Sequence, residues 1–144
     1  MSDSGEETRE QRLRRLRSRR PRLGPDQFNR LVARALRSLP QEFREKLENV
    51  AILVEDVPGP ETLARMGMGP YDTLLGLYEG IPLTGRDQGY NLVLPDRITL
   101  FRLPILESCE KAEDVVREVR KTVIHEIAHF YGIDDEELDR MGYS

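Results

Sequence analysis

Both histidines of this 144-residue chain fall within five positions, in the run His125-Glu126-Ile127-Ala128-His129. On a helix turning about 100° per residue, the two imidazoles lie roughly 40° apart and one turn apart, so both can reach a single ion. Glu126 sits roughly 60° from His129, close enough to reach a water beside that ion without being a ligand itself. The surrounding residues Val123, Ile124, Ile127, Ala128, Phe130 and Tyr131 are apolar. Ionisable groups in such a helix are costly unless they are paired or bind a metal. The H-E-x-x-H pattern on a helix is that of a hydrolytic zinc site, with two imidazole ligands and a glutamate as general base. Two core histidines with hydrogen-bond partners and a surface glutamate would be the ordinary alternative. That alternative does not explain three ionisable groups in this register on an apolar helix.

The continuation extends the pattern to H-E-x-x-H-x-x-G-x-x-D, with Gly132 and Asp135 at the last two named positions. A catalytic zinc needs three protein ligands and one open position. Gly132 allows the chain to reverse directly after His129, which swings Asp135 back towards the metal. Metzincins have a histidine at that position, and a carboxylate is an acceptable substitute. The competing role for Asp135 is that of a helix-start residue, because acidic side chains favour the first turn. The neighbouring Asp134 stands three residues before Glu137, the spacing of a capping pair, and is the better N-cap of a last helix. The expected ligand set is therefore His125, His129 and Asp135, with Glu126 as the catalytic base and one Zn²⁺ per chain.

These residues need a scaffold. The segment from about Ala112 to Tyr131 reads as one helix, about 30 Å long at 1.5 Å per residue. It is amphipathic in its first half and apolar nearly all round in its second, the mark of a buried helix. A short final helix spans roughly Asp135–Met141. Upstream, Asp26 can cap a helix with an apolar stripe at Phe28, Leu31, Val32, Ala35, Leu36 and Leu39. Pro40 breaks it and opens a shorter helix carrying Phe43 and Leu47. Val50–Val54 reads as a buried strand, and residues 57–70, with three prolines and three glycines, as loop. Leu74–Tyr78 reads as a strand broken by Gly76. Residues 79–96 read as turns around a short Leu92–Leu94 segment, and Arg97–Leu103 as a strand closed by Pro104. Helices, then strands, then helices predict an α+β domain with a small sheet.

The net charge of −4 conceals an asymmetry. Residues 1–22 carry eight arginines against four acids, whereas residues 23–144 carry 14 basic and 22 acidic side chains. The basic stretch is poor in large apolar groups and reads as a disordered tail over residues 1–25, with the domain proper at 26–144. Nucleic acid is a conceivable partner only through that tail. The chain has no apolar run of about 18 residues and no secretory h-region, so no membrane role is expected. The single Cys109 suits a reducing compartment, and the expected location is cytoplasmic.

Over roughly residues 26–143 the chain resembles the small bacterial minimal zincins, zincin-like metallopeptidases with HExxHxxGxxD near the C-terminus. The likeness rests on LLGLYEGIPLT at 74–84, LPDRITLFR at 94–102 and VRKTVIHEIAHFYGIDD at 119–135. It implies an α+β fold with a long C-terminal active-site helix beside a small sheet.

The chemistry expected is peptide hydrolysis of a peptide or protein substrate. Zinc would lower the pKa of a bound water to near 7, and Glu126 would take its proton and pass it to the leaving amine. RITLFRL is the candidate strand for pairing with an extended substrate. Tyr131 and Tyr143 are near enough in sequence to aid the oxyanion, but neither is preferred. Two other readings compete: a zinc-stabilised interaction module with little catalysis, and a nucleic-acid-associated protease. Only three protein ligands are visible, which counts against a closed structural site of four.

Overall fold

The computed structural model describes residues 6–18, 23–69, 73–81 and 94–143, and among them the fold is α+β. Helix α1, Arg9–Ser18, lies in the stretch expected to be disordered. A reciprocal cap starts it: Gln11 N–H donates to Thr8 Oγ1 (3.0 Å) and Thr8 N–H donates to Gln11 Oε1 (2.9 Å). Thr-x-x-Gln is a capping box, a helix-start signal that composition alone conceals. Arg12 is buried and donates through Nη2 to Thr73 Oγ1 at 2.7 Å.

Helix α2, Pro25–Arg37, begins slightly ahead of the expected Asp26 cap, with Gly24 as N-cap and Pro25 as its first residue. Proline at that position has its φ preset and lacks only a donor that would go unused. Phe28, Val32 and Ala35 bury the apolar stripe, and the helix packs on the long helix described below. Pro40 caps α3, Gln41–Lys46, whose Phe43 joins the same core.

Strand β1, Val50–Glu55, follows. It was expected to be buried, yet its residues are only partly covered and Leu53 is 40% exposed. The reason is position: β1 is an edge strand. Residues 57–70 are not all loop, because Pro60–Arg65 form a short helix, α4. Its Gly59-Pro60 start is helix punctuation, with Pro60 again in the first turn.

Strand β2, Gly76–Glu79, starts at the glycine expected to interrupt it. Strand β3, Asp96–Phe101, lies between the other two, giving the order β1-β3-β2. It runs parallel to β1 and antiparallel to β2, with Ile98 facing Ile52 and Tyr78 in the two registers. Its place at the centre explains why Ile98, Thr99, Leu100 and Phe101 are all buried. The strand stops short of the expected Leu103, because helix α5, Arg102–Glu107, begins at once. Pro104 sits in the first turn of α5, where a missing N–H costs nothing. Of the Leu92–Leu94 segment, residues 92 and 93 lie outside the described residues, as do 82–91.

Helix α6, Ala112–Phe130, carries Val115, Val119, Val123 and Ile127 into the core, each fully buried. It ends in a Schellman turn: Gly132, at φ 80°, donates to His129 O (3.1 Å), and Ile133 N–H donates to Ala128 O (2.8 Å). Helix α7, Asp135–Met141, then turns back, anchored by buried Leu138. No helix among the described residues is long and apolar enough to cross a membrane.

Candidate metal centre

The apolar face of α6 fixes the helix in the core and thereby points His125, Glu126 and His129 towards β2 and α7. The Schellman turn at Gly132 sets the direction in which the chain leaves α6. One consequence is that Asp135, the first residue of α7, returns to the two histidines. Its Oδ1 lies 2.9 Å from His129 Nε2 and 3.6 Å from His125 Nδ1. One ligand atom from each of His125, His129 and Asp135 falls within 4.8 Å of the others. The hydrogen bond from His129 holds the Asp135 carboxyl below its ordinary pKa, which favours the charged form. Asp134 does something else. It is the N-cap of α7 and accepts from Glu137 N–H at 2.8 Å.

Two imidazoles and one carboxylate, open to solvent on one side, are a donor set that suits a catalytic zinc. Nε2 of His125 is buried and has no hydrogen-bond partner among the described residues. The ring nitrogen that faces Asp135 is Nδ1, at 3.6 Å, so the fit to an ion rests on the donor set and its spacing. The residues present fit the ion.

Glu126 stands beside this cluster and outside it. Its Oε1 accepts from the backbone N–H of Tyr78 on β2 at 3.0 Å, while Oε2 has no partner among the described residues. Burial pushes its pKa up, and the Tyr78 N–H and the two histidines pull it back. The carboxylate is thus held by one oxygen and left one oxygen with which to accept a proton. Sequence reasoning missed Tyr78 because the donor is a backbone group and leaves no mark on residue type.

That hydrogen bond depends on how closely β2 approaches α6. A Cβ built on Gly76 would stand 2.6 Å from Thr122 Cγ2 and 3.3 Å from Thr99 O. Only glycine fits between sheet and helix there. Gly76→Val should therefore force β2 away from α6 and cost about 1–3 kcal/mol. Chemical denaturation would read the loss, and unchanged stability would show that the contact can relax.

Between β2 and α6 runs a cleft of about 380 Å³, lined by residues 73–76 and by His125, Glu126 and His129. The expected pairing strand must be corrected here. β3 is occupied on both edges by β1 and β2, so RITLFRL cannot take a substrate strand. The strand beside the cleft is β2. Leu75 O accepts from Phe101 N–H, so by strand alternation the backbone groups of Gly76 and Tyr78 face away from β3. Tyr143 OH donates to Glu42 (2.7 Å), and Tyr131 is 51% exposed beneath Lys46.

A family model described as zincin-like metallopeptidase matches residues 47–143, more than half of the chain. The protein belongs to the zincin-like metallopeptidase family. Membership carries zinc binding and a hydrolase class as the family's general character. The match begins after α3, so α1, α2 and α3 lie outside it. A comparison with curated proteins found no match.

Proposed function

We propose that the chain is a zinc-dependent peptidase in which His125, His129 and Asp135 hold one Zn²⁺ and Glu126 is the general base. When bound, the ion would supply Lewis acidity, acidifying water and polarising a carbonyl. Glu126 Oε2 accepts the proton from the attacking water and returns it to the leaving amine. Its other oxygen stays on Tyr78 N–H, so the base cannot swing away between the two transfers. An extended peptide lies along the outer edge of β2, where Gly76 offers backbone groups to it. The observation that carries this reading is the joining of a three-donor cluster to a tethered carboxylate with one free oxygen, with His125, Glu126 and His129 on one cleft.

The test joins metal analysis to peptide digestion. The purified chain should carry close to one zinc, cleave members of a broad peptide library, lose cleavage on chelation and regain it with added zinc. Chelation should also lower the melting temperature, because ion binding is coupled to the folded site. Zinc that stabilises the fold without any cleavage would favour the interaction-module reading instead. A chain that neither carries nor takes up zinc would end the proposal.

A further inference from the structure

A second hollow shares Lys121 and His125 with the β2 cleft. It has a volume of about 310 Å³ and lies between α6 and the Gly142-Tyr143 end of α7. Arg117, Arg120, Lys121 and Ile124 line it, and no carboxylate does. With His125, these positions fall at i, i+3, i+4, i+7 and i+8, one continuous stripe on α6. Arg117 is already paired with Asp114. Arg120 and Lys121 have neither a hydrogen bond nor an ion pair among the described residues.

Two unpaired cations on a solvated helix face are commonplace. Their placement here is not, for two reasons. Residues 23–144 carry 22 acidic side chains, yet among the described residues none lines this hollow, and Glu42 beside it is engaged by the Tyr143 hydroxyl. Lys121 and His125 also line both hollows, so Lys121 borders the place where a bond held in the β2 cleft would be cut, with Arg120 next to it in the sequence. A positive hollow beside a reacting centre concentrates and orients anionic partners. The hollow is small and has the apolar Ile124 in its wall, which suits a short side chain with a charged tip better than a polyanion.

We infer that this hollow receives a carboxylate of the peptide substrate next to the scissile bond, and that Arg120 and Lys121 recognise it. The inference rests on the peptidase reading above. The carboxylate could belong to a glutamate or aspartate side chain or to a free C-terminus, and the chemistry is shared.

Binding separates this inference from catalysis. The zinc-loaded Glu126→Gln chain is titrated by fluorescence anisotropy with labelled alanine hexapeptides. Each carries one Glu, Gln or Lys at a scanned position, and each is made with a free or an amidated C-terminus. At one position, Glu should bind roughly 10-fold more tightly than Gln, with an advantage that shrinks as salt is added. If amidation alone removes the preference, the C-terminus is the source; if it persists, the side chain is. Arg120→Gln/Lys121→Gln should abolish the preference, and Arg120→Glu/Lys121→Glu should turn it towards Lys, with zinc content and melting temperature kept near the parent's. Equal binding of all peptides, no binding of any, tighter binding of a duplex oligonucleotide at these residues, or a preference that survives charge reversal would overturn the inference. Cleavage by the parent without any acidic preference would remove this inference alone. A Glu preference in binding with no cleavage of any peptide would remove the peptidase reading and leave the anion site standing.

Discussion

Glu126→Gln should keep its zinc and lose hydrolysis, with kcat/KM falling by about 10²–10⁴-fold, the range that general acid–base groups contribute. The geometry makes this an informative substitution. Glutamine still offers a carbonyl oxygen to the Tyr78 N–H, which lies 3.0 Å from Glu126 Oε1. The side chain should therefore stay where it is, and β2 should stay on α6. The amide nitrogen then occupies the place of Oε2, and it donates hydrogen bonds where the carboxylate accepts a proton. Stability and metal content are thus separated from proton transfer. The measurements are metal analysis, a melting curve and steady-state cleavage of a substrate found in the library digestion. If the variant cleaves at the parent's rate, Glu126 is not the base.

Asp135→Ala should weaken zinc affinity by roughly 10-fold or more, given that losing even a supporting partner of a ligand costs 10- to 100-fold. Asp134→Ala should leave zinc affinity near the parent's and instead cost about 1 kcal/mol of stability, the worth of an N-cap. The two side chains are adjacent in sequence and have opposite engagements. Asp134 accepts from Glu137 N–H inside α7, and Asp135 reaches across the Gly132 turn to His129 Nε2. Titrating both variants with zinc and following their unfolding side by side gives two independent readouts. Release of the metal by Asp134→Ala, with Asp135→Ala unaffected, would reverse the assignment.

The parts of the fold that were legible in the sequence are those where one signal dominates. α6 combines a long 3.6-residue period with an all-apolar half and a glycine stop, and α7 opens on a capping pair. The motif residues then follow from register, and Asp135 from the reversal at Gly132. Pro40 was legible as the start of α3, but where Pro60 and Pro104 were taken as loop or stop signals, or composition as a sign of disorder, the reading went astray. Pro60 and Pro104 open or occupy the first turn of short helices, a place where proline is at home. The arginine-rich composition hid the Thr8–Gln11 capping box of α1. Partner choice among strands left no trace in RITLFRL itself: an apolar run fits a central strand and a substrate-pairing strand equally well. Its role was decided only when β1 and β2 were found on its two sides. The Tyr78–Glu126 bond was out of reach for a different reason, since a main-chain donor is supplied by every residue except proline.

The order β1-β3-β2 also bears on how the protein comes to be folded. The strand that joins the other two is the last of the three in the chain, and Val50 pairs with Asp96 across nearly the whole intervening sequence. The consecutive β2 and β3 can pair with each other, but the parallel β1–β3 pair must close the long loop between them before pairing rewards it. Until β3 arrives, VAILVE and GLYE both present unsatisfied backbone edges, the first of them strongly apolar. Such edges are the surfaces through which chains associate wrongly. The protein's vulnerable interval is therefore the time before residues 96–101 dock, and refolding yield should fall with chain concentration during that interval.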